Sequence, residues 1–243
     1  MPTVLILGAT SDMAVAIARK FAQEKYDIQL AARNVQQLDA LEKDLGIRYG
    51  VKASSFTFDA ADTAHHEAFY NQLPVKPDIT ICVFGYLGDQ ATAEKDWNES
   101  EKIIQTNYTG AVSILNIVAN DYAGKKQGTI VGISSVAGDR GRLSNYMYGS
   151  AKAGFTAYLS GLNNRMFHEK VHVLTVLPGF VATRMTENLE LPAILTAQPQ
   201  EVANDIYKAV QKKKNVVYVK WFWRYIMLII RNIPNGIFKK LKL

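Results

Sequence analysis

Three side chains capable of proton chemistry stand close together in the chain: Ser135, Tyr148 thirteen residues on, and Lys152 four beyond that. The run Tyr148-Gly-Ser-Ala-Lys152 leads into Phe155, Tyr158, Leu159, Leu162 and Met166, which recur at helical spacing. The tyrosine and the lysine are therefore predicted to share a helix face one turn apart. An ammonium beside a phenol favours the phenolate, so the pairing predicts a tyrosine drawn down from its usual ~10 toward working pH, a usable acid or base. Ser135 follows the apolar run Thr129–Ile133, a strand end from which a hydroxyl can hold a carbonyl oxygen near that phenol. Alone, Tyr-x-x-x-Lys is as readily a core tyrosine and a surface lysine; its surroundings decide.

The elements that must position this trio read as alternating strands and helices. Val4–Leu7 is a short apolar run closed by Gly8, and Met13–Phe21 has helical spacing. A dinucleotide fold seats a pyrophosphate at such a place, on backbone N–H groups at a helix N-terminus. Gly8, Thr10, Ser11, Asp12 and Met13 are the candidates there. A carboxylate facing a diphosphate would repel it, and Asp12 is expected to cap the helix instead. Ile28–Ala32 is a second strand, followed by Arg33; Val35–Leu45 is helical; Ser54–Phe58 alternates like a strand ahead of Asp59 and Ala60. The strand Ile79–Phe84 leads into Gly85, where backbone can approach a ligand closely. A long helical stretch from about Trp97 to Tyr122 holds Asn107, and Val171–Leu177 is a sixth strand ahead of Pro178-Gly179. Pro199–Gln211 opens as a helix on its proline, and Val216–Val219 is the seventh strand. The pattern predicts an α/β, Rossmann-type, doubly wound seven-stranded parallel sheet in one domain, residues 1–219, with a C-terminal amphipathic tail, residues 220–243.

Four motifs thus occur in one order: Gly-Ala-Thr-Ser after the first strand, Asn-x-x-Gly from Asn107 to Gly110, the Ser135, Tyr148 and Lys152 set, and Pro178-Gly179 after a later strand. In this order they resemble the short-chain dehydrogenase/reductase family, over about Thr3 to Val219. The resemblance implies hydride transfer between a nicotinamide cofactor and a carbonyl. Tyr148 would protonate the oxygen, Ser135 would hold it, Lys152 would bind the nicotinamide ribose, and Asn107 would bind backbone at a local irregularity and support a relay to Lys152. It implies that Asp59 and Ala60 meet the adenine, that Gly85 lies against the cofactor, and that Pro178, Gly179, Val181 and Thr183 turn over the nicotinamide. Asp12 and Ala14 stand where that family usually has glycines, and only Gly85 remains of its Asn-Asn-Ala-Gly. The second strand ends in Ala32 rather than the acid that binds ribose hydroxyls, and Arg33 follows at once, suiting a 2′-phosphate; the expected cofactor is NADPH. Arg184–Gln198 is where relatives carry a substrate lid; its Leu189, Leu191, Ile194 and Leu195 suggest an apolar wall or a packed helix. Arg140 and Arg142, in the loop after Ser135, are candidates to meet an anionic substrate.

Composition narrows the remaining classes. With 48% hydrophobic residues in 243 and no Pro/Gly/Ser-rich linker, the chain can bury a core as one domain. The single cysteine, Cys82, sits within an apolar run, can form no intrachain disulfide, and fits a reducing cytosol as a buried hydrophobe. His65 and His66 lack partners at ligand spacing, so a surface position and no metal site are predicted. The net charge of +6 is unevenly spread. Ile206–Leu243 carries ten Lys/Arg and no acid, leaving 18 basic against 22 acidic residues, so the tail is +10 and the body −4. Nothing resembles a nucleic-acid module. Val4–Leu7 is too short for a signal peptide and lacks a basic flank.

Between Lys220 and Ile233 lie roughly ten apolar residues, half of the ~20 that a membrane span needs. On a helix Lys220, Arg224 and Arg231 share one sector, with Trp221, Trp223, Tyr225, Ile226, Ile229 and Ile230 around the rest. Such an element fits an interfacial anchor, which would place a cytoplasmic protein against the inner membrane face; docking to a partner subunit is the alternative. Within the family, Gly8 to Ala14, the Gly85-Tyr-Leu-Gly-Asp-Gln segment and this tail look most like the bacterial reductases of polyprenyl-phosphoryl 2-keto-pentofuranose. The resemblance implies a lipid-linked carbonyl substrate and a homo-dimer or homo-tetramer. Reduction of another lipid-like ketone, 3-oxoacyl or steroid-like, and a non-catalytic NADPH-binding scaffold are the alternatives.

Overall fold

The computed structural model describes residues 1–187 and 190–241. Among them the strands are β1 (Thr3–Leu7), β2 (Asp27–Ala32), β3 (Ala53–Thr57), β4 (Ile79–Cys82), β5 (Thr129–Ile133), β6 (His172–Pro178), β7 (Phe180–Val181), β8 (Thr196–Ala197) and β9 (Val216–Val219). The α-helices are α1 (Asp12–Gln23), α2 (Asp39–Tyr49), α3 (His66–Gln72), α4 (Gln90–Ala93), α5 (Trp97–Ile104), α6 (Gly110–Lys125), α7 (Tyr146–His168), α8 (Pro199–Gln211), α9 (Trp223–Asn232) and α10 (Asn235–Phe238). Seven strands make one parallel sheet in the order β3-β2-β1-β4-β5-β6-β9, as predicted, and β7 pairs with β8 apart from it. The winding reverses between β1 and β4, so the crevice outside their carboxyl ends, at Gly8 and Val83, is the place where such sheets take ligands.

Every residue of β1 is buried, because helices cover both faces of the sheet. Alternation sends Val4 and Ile6 to the layer of Ile17, Phe21, Leu45 and Ile206, and Leu5 and Leu7 to that of Ile114, Val118, Phe155 and Leu159. Two close approaches set the helices that matter for chemistry. Gly132 of β5 has no side chain because a Cβ would come 2.4 Å from Leu159, and this brings α7 down onto the sheet. A Cβ on Gly110 would meet the Ala60 carbonyl oxygen at 2.0 Å, so the start of α6 rests on the end of the β3 connection.

Two expectations need correction, and the tail adds a third finding. His66 is buried rather than on the surface, 1% exposed, stacked on Phe58 with centroids 4.9 Å apart and bonded to Ser113 Oγ (2.9 Å) and the Asp59 carbonyl (3.0 Å). The segment after Thr183 is not a packed helix. Short 3₁₀ turns at Arg184–Thr186 and Ala193–Leu195 lead into β8, Ile194 is 80% exposed, and Leu189 lies outside the described residues. The tail is folded back on its own body, with Trp223 and Met227 of α9 buried beside Val136 and Leu177. Its other face, Trp221, Tyr225, Leu228 and Ile229, is exposed. None of the helices described is long and apolar enough to cross a membrane.

Candidate active site

Ser135, Tyr148, Lys152 and Asn107 converge where β4 and β5 end. Ser135 closes β5 and its Oγ accepts from the Ala137 N–H (3.1 Å), which fixes the hydroxyl at the start of a 3₁₀ turn. The neighbouring Ser134 bonds the Lys152 carbonyl (3.0 Å) and Thr156 Oγ1 (2.7 Å), tying this strand end to α7. The first turn of α7 is held by Gln90, whose Oε1 accepts from the Met147 N–H (3.0 Å). Tyr148 thereby projects half-buried, near enough to Ser135 for the serine to lower its pKa slightly. Lys152, 3% exposed, donates from Nζ to the Ile133 carbonyl (3.1 Å), and Nζ lies 5.7 Å from the Tyr148 ring centroid.

The electrostatics differ from the expectation. Burial pushes the Tyr148 phenol up to about 12, only partly opposed by Ser135. Burial also holds the Lys152 ammonium down to about 8, with the neighbouring Cys82 acting weakly the other way. The sequence predicted a tyrosine lowered by its lysine; in the structure desolvation decides the direction of both shifts, the phenol up and the ammonium down. At neutral pH the phenol therefore keeps its proton.

Asn107 is buried at the centre of a π-helical turn, Gln105–Thr109, that interrupts the α5–α6 run. Its Nδ2 donates to the carbonyls of Tyr86 (2.6 Å) and Ile103 (2.8 Å), and its Oδ1 accepts from the Tyr86 N–H (3.1 Å). A Cβ on Gly85 would stand 3.0 Å from that Oδ1 and 3.5 Å from Lys152 Nζ, so Gly85 allows strand, asparagine and lysine to meet.

The residues present fit a dinucleotide. Gly8, Thr10, Ser11, Asp12 and Met13 are half-exposed in the crevice, and among the described residues the N–H groups of Asp12 and Met13 have no protein acceptor. Lys152 uses one of three donors, and a buried ammonium needs more acceptors than that. Arg33 is exposed at the end of β2 beyond Ala32; Asp59 is exposed after β3, where Oδ1 accepts from the Ala61 N–H (3.0 Å), with Ala60 buried beside it. Pro178 ends β6, Gly179 follows, Val181 pairs with Ala197, and Thr183 begins the next turn. With Asp12, Thr183 and Thr186 line a cleft of about 560 Å³. A second hollow, also about 560 Å³, opens by Thr3, Asp27 and Lys52 at the opposite end of the strands, away from this chemistry.

Several roles are reassigned. Asp12 is not the helix cap: Ser11 is, accepting from the Ala14 N–H (3.2 Å), while the Asp12 carboxylate accepts from the Arg184 N–H (2.8 Å). Arg140 does not face a substrate. It caps the end of α9, donating to the carbonyls of Ile230 (2.7 Å) and Ile233 (2.7 Å) and to Asn235 Oδ1 (2.8 Å), and stacks over Phe238. Arg142 lies against Met227 Sδ (3.2 Å). Gly179 carries the Trp223 indole, which a Cβ would meet at 2.0 Å, and Trp223 Nε1 donates to the Leu195 carbonyl (3.1 Å). Ser134, Gln90, Trp223 and Arg184 had no sequence signal beyond their residue type. Among the described residues no cluster of His, Cys, Asp and Glu has the makings of a metal site.

Fold and site together define an α/β oxidoreductase of the dinucleotide-binding kind. The chain belongs to the short chain dehydrogenase family, whose pattern it matches over residues 2–193. It is 35% identical over 241 residues to an uncharacterised oxidoreductase of Mycobacterium tuberculosis, covering 98% of this chain and 96% of that one. Among solved structures it is similar to a short-chain dehydrogenase from Sphingobium yanoikuyae in complex with NADPH, at TM-score 0.82 and 24% identity over 97% of this chain and 98% of the other. A variant actinorhodin polyketide ketoreductase with NADPH superposes at TM-score 0.80 and 23% identity over 90% and 95%.

Proposed function

We propose that this protein is an NADPH-dependent ketoreductase and that its substrate is a lipid-linked keto-sugar of the polyprenyl-phosphoryl 2-keto-pentose type. The observation that carries the reaction is the convergence of Ser135, Tyr148 and buried Lys152 where β5 meets α7. Bound NADPH supplies the hydride. The chain's own part is proton chemistry and positioning. Ser135 Oγ donates to the substrate carbonyl oxygen and holds it against the phenol. Tyr148, kept protonated by its burial, gives its proton to that oxygen as the carbon is reduced. Lys152 binds the nicotinamide ribose and, while charged, eases the phenol's loss of its proton. Asn107 fixes the backbone at Tyr86 and Ile103, so that Gly85 keeps its place beside Lys152.

Arg33, with no acid at Ala32, favours a 2′-phosphate, and the NADPH in both structural neighbours supports that choice. Asp59 and Ala60 serve the adenine; Pro178, Gly179, Val181 and Thr183 serve the nicotinamide. The exposed face of α9, with Tyr225, Leu228 and Ile229 beside the preceding Trp221 and among basic residues, suits contact with the membrane surface in which a polyprenyl lipid resides.

The test is NADPH oxidation by purified protein in mixed micelles, with a polyprenyl-phosphoryl 2-keto-pentose offered beside soluble ketones and with Tyr148→Phe as control. Turnover of the lipid-linked sugar, lost in the variant, supports the reading. Turnover of 3-oxoacyl or steroid ketones alone would replace the substrate, and tight NADPH binding with no carbonyl reduced would leave a scaffold.

A further inference from the structure

Asp12 puts a carboxylate on the loop that the dinucleotide reading gives to the cofactor diphosphate, and the structure shows what answers it. Arg184, the first residue of the turn after Thr183, reaches back to that loop. Its backbone N–H donates to Asp12 Oδ2 (2.8 Å), its Nε lies 3.3 Å from Asp12 Oδ1, and its Nη2 donates to the Thr10 carbonyl. A lone carboxylate at a helix N-terminus competes with a phosphate for the same N–H groups and repels its charge. The guanidinium cancels that charge. Its side chain remains 68% exposed, and a guanidinium has five donors in a planar fork suited to phosphate oxygens.

We propose that Arg184 is a diphosphate-binding residue of the cofactor site and that Asp12 is its holder. Asp12 fixes the backbone N–H and Nε of Arg184, and the outer edge of the guanidinium meets the diphosphate, releasing the Thr10 carbonyl. Because Arg184 follows directly on Pro178–Thr183, the same contact straps the nicotinamide loop to the start of α1. The departure from glycine at this position is then one half of a pair. This inference rests on the dinucleotide reading above.

The discriminating experiment measures NADPH dissociation constants by fluorescence enhancement, at low and moderate salt, for wild type, Arg184→Ala, Arg184→Lys, Asp12→Asn and the double variant Asp12→Asn/Arg184→Ala. Melting curves monitor folding. Arg184→Ala should weaken NADPH tenfold or more and flatten the salt dependence, with Arg184→Lys recovering part of the loss. Asp12→Asn alone should weaken NADPH a few-fold by loosening Arg184, yet in the Arg184→Ala background it should restore part of what was lost, since it removes an uncompensated charge but cannot replace the guanidinium's contact. Adenosine 2′-phosphate, which lacks the diphosphate, should bind all variants alike. A wild-type affinity in Arg184→Ala, or effects of the two substitutions that simply multiply, would overturn the proposal while leaving the dinucleotide reading intact. Failure of wild type itself to bind NADPH would overturn both.

Discussion

In the proposed reaction Tyr148 and Lys152 would set the pH behaviour of the chemistry. A phenol raised to about 12 is the protonated acid that ketone reduction needs, and it is nearly absent as the base that alcohol oxidation needs. Oxidation of the product alcohol should therefore rise about tenfold per pH unit from neutrality upward; a flat profile would remove Tyr148 as the titrating group. Reduction should hold steady at neutral pH and decline as Lys152 loses its charge on passing about 8. Tyr148→Phe should lower the reductive kcat by about 10²–10⁴-fold, with NADPH affinity preserved in a direct binding titration. His66 makes a separate prediction. Burial lowers its pKa below the usual imidazole value, so the unfolded chain takes up the proton first on acidification. Stability is then fully present above ~6.5 and falls as pH drops through and below that value. Melting curves between pH 7.5 and 5 should show the drop, and His66→Gln should reduce it.

Among the elements, α9 links both sides of the site. Trp223 rests on Gly179 of the loop after β6 and bonds Leu195 of the following segment, while Arg140, five residues after Ser135, caps the helix's far end. A methyl at Gly179 would stand 2.0 Å from the indole, so Gly179→Ala must push α9 outward. The expected cost is about 1–3 kcal/mol, or roughly 2–12 °C in melting temperature for a chain of this size. Trp223→Ala in the same chain should cost less than it does alone, because the methyl then has room; strict additivity would show that the two do not touch in solution. The glycines of the site divide by use. Gly8 (φ 87°) and Gly110 make way for Phe84 and for the Ala60 carbonyl, whereas Gly85 lies against Lys152 Nζ. The glycine motifs of this chain thus serve chain packing at Gly8 and Gly110.

Across the whole molecule, charge and shape point the same way. Ile206–Leu243 carries ten Lys/Arg and no acid on an otherwise acidic body, and of these Lys220, Arg224 and Arg231 stand in sequence among the exposed Trp221, Tyr225, Leu228 and Ile229. Two copies meeting face to face through this surface would oppose like charges. An anionic bilayer accepts both the charge and the aromatic side chains. The protein should sediment with vesicles containing anionic phospholipid, weakly or not at all with neutral ones, and lose binding in raised salt. Trp221→Ser/Ile229→Ser should abolish sedimentation with the melting temperature unchanged, since both side chains are exposed; a dimer lost in the same variant would instead assign this face to a second copy.

Local order and residue type determined much of this protein. Strand runs buried on both faces, the helix face shared by Tyr148 and Lys152, the missing acid at Ala32 and the lopsided charge of the tail are all written over short stretches, so they were legible before any fold was known. Tertiary structure decided the rest, because it brings together residues far apart in the chain. It turned Asp12 from a cap into the partner of Arg184, 172 residues away, and Arg140 from a candidate anion ligand into the cap of α9. It buried His66 under Phe58, and reversed the expected shift of Tyr148. Spacing records which charges are near; only packing decides how much water each of them loses, and that desolvation sets the direction of both shifts at the centre of this site.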